Sequence, residues 1–200
     1  ELIGNKTINS IRFEGKYAHL SCGFGIVVID IDREEVFDTY FIGPQGSYIN
    51  VNDIEIFNNT IFAATENGVY YAQADSPNLA DFNQWTKDTR LRHPNFNYNH
   101  IEAFKGKMYL NYTRNAYNAD TIFVYDGNQW DYFDNNYSLH RKIRAYENHF
   151  LIANHYNVYF YDADMNLVSS IYNPEGAGVE PLGIALDDTL NVWIGDRRRG

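Results

Sequence analysis

Hydrophobic and polar residues alternate along most of this chain in short stretches, and brief polar turns separate one stretch from the next. The clearest run is Asp53–Phe57, a turn at Asn58-Asn59, Thr60–Thr65, a turn at Glu66-Asn67-Gly68, Val69–Ala74, and a longer excursion ending in Trp85-Thr86-Lys87. A period of two sends successive side chains to opposite faces of a strand, so this run predicts four antiparallel strands, A to D. Helical periodicity persists nowhere beyond about two turns, apart from a short turn expected at Ser76–Phe82. The run also recurs. Ile11, Ile54, Ile101, Ile143 and Ile184 sit at the centre of five related first strands and are separated by 43, 47, 42 and 41 residues.

That period suits a four-stranded propeller blade and is too long for most helical repeats. The expected fold is therefore all-β, a β-propeller of four-stranded antiparallel blades. Four blades span about 8–42, 51–88, 99–134 and 141–172, and a half blade spans 181–196 with strands A (Leu182–Leu186) and B (Asn191–Ile194). Residues 1–200 thus read as a single propeller segment of about four and a half blades. A half blade leaves an unpaired edge and an uncovered apolar face. The expectation is a fragment of a larger propeller, its open blade edge capped by another chain.

Composition narrows the picture. With 200 residues and 44% hydrophobic content, the chain can bury a core. Its 17 Tyr and 13 Phe suit pleated surfaces, where rings pack on cross-strand neighbours. A formal charge of -10 argues against a nucleic-acid partner, because phosphate neutralisation needs an excess of Lys and Arg. The single cysteine, Cys22, excludes an internal disulfide framework and is expected buried in a strand. No apolar run is long enough to span a membrane, and the start Glu1-Leu2-Ile3-Gly4 reads as trimmed, lacking both initiator Met and signal-peptide character.

The run Gly183-Ile184-Ala185-Leu186-Asp187-Asp188-Thr189-Leu190-Asn191-Val192-Trp193-Ile194-Gly195-Asp196 resembles the two-component regulator propeller repeat. Ile61-Phe62-Ala63-Ala64-Thr65-Glu66-Asn67-Gly68-Val69 is a looser match to its second half. Two families use the repeat: oligosaccharide-binding extracytoplasmic sensors of Bacteroidetes hybrid two-component systems, and the PorZ-type propellers of type IX secretion. The stretch Asp38–Ile49, with Ala63–Ala72 and Asn78–Thr86, is more similar to the PorZ type. The resemblance implies a periplasmic or cell-surface, outer-membrane-associated location, a removed signal peptide, and a binding role without catalysis. The alternative it implies is a periplasmic oligosaccharide-sensing propeller.

No catalytic signature accompanies this pattern. None of the six histidines has a metal-ligand spacing, and no nucleophile elbow, phosphate loop or dinucleotide fingerprint occurs. No enzyme activity, metal or cofactor is expected. Asp162-Ala163-Asp164-Met165-Asn166 has the odd-position oxygens of a calcium loop without its Gly or distal Glu. Its counterparts Asp30-Ile31-Asp32 and Asp126-Gly127-Asn128 favour Asx turns, with a weak cation site at Asp162/Asp164 as the alternative.

A propeller gathers its B–C and D–A connections at one end of the blades and its A–B and C–D turns at the other. The first end is expected to collect Arg90, Arg92, His93, Tyr98, Arg114, Tyr117, Tyr137, Arg197 and Arg198, and these are the candidate ligand-binding residues. The opposite end collects carboxylates such as Glu14, Asp30, Asp75 and Asp187, while Glu66, Asp120, Glu175 and Asp196 fall on the first. Arginine offers bidentate contacts to phosphate or carboxylate and tyrosine stacks on sugar rings, so the first end suits an anionic glycan or an acidic protein partner. Ordinary loop chemistry in an aromatic-rich chain is the competing explanation. The two longest excursions, Lys87–Tyr98 and Thr113–Asp120, favour function, because binding is usually placed on long loops of a rigid scaffold.

Overall fold

A computed structural model describes residues 5–114, 120–134, 139–155, 157–172 and 181–196. In the first sheet Ile8–Glu14 (β1), Tyr17–Cys22 (β2), Gly25–Asp30 (β3) and Glu35–Tyr40 (β4) pair in chain order. The second sheet holds Val51–Phe57 (β5), Thr60–Thr65 (β6), Gly68–Gln73 (β7) and the two-residue Thr86–Lys87 (β8). Tyr98–Phe104 (β9), Lys107–Tyr112 (β10), Thr121–Tyr125 (β11) and Trp130–Asp134 (β12) form the third, and His140–Ala145 (β13), Phe150–Asn154 (β14), Asn157–Tyr161 (β15) and Leu167–Tyr172 (β16) the fourth. Pro181–Leu186 (β17) and Val192–Asp196 (β18) pair as a two-stranded sheet. Each full sheet is an antiparallel meander, so the described residues build four propeller blades and the first two strands of a fifth.

The turns explain why the strands reverse where they do. Asn58 and Asn59 hold φ of 48° and 58°, and Lys105 and Gly106 hold 47° and 75°. This left-handed pair is what a two-residue hairpin of the type I′ class requires. The short helical turn falls at Phe82–Gln84 rather than at Ser76–Phe82, because the Asp81 carboxylate caps it by accepting the Asn83 amide at 2.9 Å.

A shared irregularity marks the first strand of four blades. The pairing register slips between Ile8 and Ser10, between Val51 and Asp53, between His140 and Lys142, and between Pro181 and Gly183. A bulge re-aims the extra residue's side chain. In the first two blades that residue is the repeat's asparagine. Asn9 Nδ2 donates to the Val51 carbonyl at 2.6 Å, and Asn52 Nδ2 donates to the Tyr98 carbonyl at 2.8 Å. The asparagine thus links successive first strands, which no ladder joins.

The chain forms two compact units, one holding residues up to Ile101 with Gly127–Trp130, the other Glu102–Asp126 with residues from Asp131 onward. In the first, Ile26, Val28, Tyr40, Ile54, Ile61, Ala63 and Trp85 pack between the first two sheets. The Trp85 indole donates to the Leu79 carbonyl at 2.9 Å and so folds the β7–β8 excursion back onto this core. In the second unit, Phe104, Tyr109, Ile122, Ile143, Phe150 and Ile152 pack together, with the Tyr109 and Phe150 rings 4.7 Å apart. Four of the repeat's central isoleucines are buried, whereas Ile11 is 48% exposed. Cys22 is buried at the end of β2.

Candidate functional site: the loop between the second and third blades

The connection from β8 to β9 is long and irregular, and its own hydrogen bonds fix it to the first unit. Asp88 begins it. Its backbone amide donates to the Val69 carbonyl at 2.8 Å, which carries the chain past the start of β7 with the Asp88 side chain buried. The carboxylate then receives the Arg90 guanidinium from two sides, Nε on Oδ1 at 2.9 Å and Nη2 on Oδ2 at 2.8 Å. The Arg90 amide (3.0 Å) and the Trp130 indole N–H (2.9 Å) donate to it as well. Burial pushes this carboxyl up, but the Arg90 and Trp130 hydrogen bonds together outweigh burial and hold it below the usual range. Arg90 also donates to the Asn128 carbonyl at 3.3 Å and lies 5.7 Å from the Tyr71 ring centroid.

The far end of the loop is fastened in two places. Tyr98 is wholly buried at the start of β9, and its hydroxyl donates to the His93 carbonyl at 3.2 Å. The Gly68 amide donates to the Phe96 carbonyl at 2.7 Å. Gly68 has φ of +101°, and a Cβ there would stand 2.2 Å from the Pro94 carbonyl oxygen, so only glycine lets the β6–β7 turn approach the loop this closely. Between these anchors Lys87 Nζ donates to Asn95 Oδ1 at 2.7 Å. Burial pushes the Lys87 ammonium down.

The predicted residues therefore divide by role. Arg90 and Tyr98 hold the loop, one through a buried carboxylate and one through a backbone carbonyl. Arg92 is exposed, His93 is half-buried with its ring 5.7 Å from Phe96, and Phe96 is itself exposed. Arg114 is exposed just past β10 in the second unit. Tyr117, Tyr137, Arg197 and Arg198 lie outside the described residues.

Beside Arg114 in the chain, the second unit holds a buried polar network. Asp120 accepts from Asn111 Nδ2 (2.9 Å), the Thr113 hydroxyl (2.7 Å) and the His140 amide (2.9 Å), while His140 Nδ1 meets Asn111 Oδ1 at 3.0 Å. All four residues are buried. The network fastens the start of β13 to the end of β10 and closes the base of the Thr113–Asp120 excursion.

Two further arrangements lie away from this loop, and the first is at positions that residue type alone does not single out. The residue after the repeat's central isoleucine is charged in four copies. Arg12 and Glu55 form an ion pair at 3.2 Å in the first unit, and Arg144 and Glu102 one at 3.6 Å in the second. Only the repeat alignment itself, read one place past the isoleucine, could have signalled them. In the Asp162 turn, Oδ1 accepts the Asp164 and Asn166 amides at 2.9 and 2.8 Å, and Oδ2 accepts Asn166 Nδ2 at 3.1 Å. These donors hold the carboxyl below its usual range. The Asp187 turn repeats the arrangement with Thr189 and Asn191.

Comparison with known proteins follows the fold. Residues 1–86 match the family described as TSS9, PorZ, N-terminal beta-propeller domain. The chain is similar to PorZ. The solved structure of PorZ, an essential surface component of the type IX secretion system of Porphyromonas gingivalis, superposes with a TM-score of 0.66 at 17% identity, over 89% of this chain and 22% of PorZ. The extracellular domain of a hybrid two-component system from B. thetaiotaomicron superposes with a TM-score of 0.68 at 11% identity, over 96% of this chain and 25% of that one. Kluyveromyces lactis Hsv2 superposes with a TM-score of 0.61 at 8% identity, over 94% of this chain and 58% of Hsv2. Identities this low show the propeller fold alone, and the chain spans about a quarter or less of PorZ and the two-component protein. No curated protein matches the sequence. No helix among the described residues is long and apolar enough to cross a membrane.

Proposed function

We propose that this chain is a non-catalytic interaction propeller of the PorZ type, working in the periplasm or at the cell surface, whose β8–β9 loop holds an anionic partner. The observation that carries this reading is the internal fastening of that loop. Asp88, Tyr98 and Gly68 fix residues 88–98 to the blades, so Arg92, His93 and Phe96 are presented on a support that loses little entropy on binding. A guanidinium next in sequence to a His93–Phe96 ring pair suits a carboxylate, phosphate or sulfate carried on an apolar or sugar body. The partner is an anionic glycan or an acidic surface of a secretion-system protein. In the second unit Arg114 is exposed just past β10, and Arg114, Tyr117, Tyr137, Arg197 and Arg198 are proposed as further contacts for such a partner. A further chain covers the apolar positions exposed on β1, Ile8, Ile11 and Phe13.

The test is binding of a fluorescently labelled anionic oligosaccharide by the whole chain, followed by anisotropy across a salt series. Arg92→Ala and Arg114→Ala are each expected to weaken binding several-fold and to flatten its salt dependence. Unchanged binding in both variants removes this site. The superposition with the two-component extracellular domain over 96% of the chain supports a second reading, an oligosaccharide-sensing propeller. Under it, a neutral oligosaccharide binds with little salt dependence.

A further inference from the structure

A cavity of about 490 Å³ opens in the first unit at the other end of the blades, where the A–B and C–D turns of the first two sheets lie. That volume is within the range of sites for small ligands or single side chains. Its walls are aromatic and aliphatic: Tyr17, Phe37, Tyr40 and His19 from the first blade face Ile56, Ile61 and Leu79 from the second. The Tyr17 and Phe37 rings stand 4.9 Å apart. Glu14, Asp38 and Asp75 also line it, and no Lys or Arg among the described residues does.

The charged groups that line this cavity are all carboxylates, which only accept hydrogen bonds. His19 is 8% exposed, and its Nδ1 is buried behind the cavity wall with no hydrogen-bond partner. Burial pushes the His19 imidazole down, so it stays neutral and keeps an acceptor nitrogen. Tyr40 is 5% exposed, and its hydroxyl is pushed up to about 12, by burial and then by the Asp38 charge. Glu14 and Asp75 make no ion pair among the described residues, and Asp38 Oδ1 takes only the Thr39 amide, at 2.7 Å. The nearby cation Lys16 is held on Asp30 at 2.8 Å.

We propose that this cavity receives the lysine side chain of a partner polypeptide. An ammonium has only donors to offer, and it meets here three carboxylates and the faces of aromatic rings. Its alkyl stem covers the apolar wall of Ile56, Ile61 and Leu79. An anionic ligand is excluded by the same charges, so this site and the β8–β9 loop select opposite chemistries at the two ends of the blades.

The experiment titrates the whole chain with the blocked peptide Ac-Gly-Lys-Gly-NH2, its norleucine counterpart, and free pentylammonium, and follows the His19 and Tyr40 ring resonances by NMR. The lysine peptide is expected to move both resonances saturably and to bind about tenfold tighter than the norleucine peptide. Glu14→Gln with Asp38→Asn, both at the rim, is expected to cost about tenfold. Equal binding of the norleucine peptide, unchanged binding in the rim variant, or shifts that leave His19 and Tyr40 untouched would overturn the site. Pentylammonium binding tighter than the lysine peptide would overturn the polypeptide partner.

Discussion

Asp88→Ala tests the claim that one buried carboxylate holds the β8–β9 loop. Four donors converge on it: the Arg90 amide, Arg90 Nε and Nη2, and the Trp130 indole N–H, at 2.8 to 3.0 Å. The four losses are unequal. The Arg90 side chain is 42% exposed and rehydrates when its partner is removed, so the ion pair itself contributes about 0.5–1 kcal/mol. The Trp130 N–H and the Arg90 amide lose charge-assisted bonds, at about 1–1.5 kcal/mol each. The expected destabilisation is about 3 kcal/mol, a fall in Tm of roughly 6–12 °C for a domain of this size. Urea unfolding followed by tryptophan fluorescence measures it. Asp88→Asn should lose nearly as much, because its amide puts N–H groups against either Arg90 or Trp130.

The same carboxylate gives the prediction a pH signature. Its folded pKa lies below the unfolded value, so its stabilisation is present above about pH 4 and is lost as pH falls through the depressed folded value. The gap between wild type and Asp88→Ala should therefore be full at pH 7 and shrink below pH 4. A loss under about 1 kcal/mol at pH 7 would refute the reasoning, as would a gap that does not change on acidification.

Gly68→Ala should destabilise by about 2–4 kcal/mol, since it combines an unfavourable φ with the loss of the Gly68 to Phe96 bond, and differential scanning calorimetry reads it. Asp120→Asn leaves a donor facing Asn111 Nδ2, the Thr113 hydroxyl or the His140 amide, so about 2 kcal/mol is lost and hydrogen exchange of the His140 amide should accelerate. Tyr40 has a folded pKa of about 12 against an unfolded value of about 10, so its contribution is intact below pH 10 and disappears as pH rises toward 12. Tyr40→Phe should lack this share of the alkaline loss in denaturant titrations at pH 9 and 11.

The blades are legible in the sequence because their cause is local. Alternation over Thr60–Thr65 and left-handed residues at Asn58-Asn59 and Lys105-Gly106 specify a hairpin without reference to anything distant. The repeat also carries its own long-range information, less openly. Asn9 and Asn52 recur one place into the motif because the bulge there turns the side chain toward the next first strand, a reason that no single copy reveals.

Residue type alone singles out Arg90, Arg92, His93 and Tyr98, but it cannot separate holding from presenting, because that depends on partners far along the chain. Trp130 reaches Asp88 across 42 residues, and this contact marks Arg90 as part of the loop's support rather than only a surface charge. The cavity by His19 was hidden for the same reason. Its wall joins Tyr17, His19, Phe37 and Tyr40 of one blade to Ile56, Ile61 and Leu79 of the next, and each of these residues reads locally as ordinary strand. Charge behaves differently from shape. In the first unit a meander sends alternate connections to alternate ends, so Glu14 and Asp75 stand in turns at the end opposite the loop that carries Arg90 and Arg92. A net charge of -10 conceals this separation. If the two ends select opposite chemistries, raising the salt concentration should weaken both an acidic and a lysine-bearing partner, while Arg92→Ala should weaken only the first.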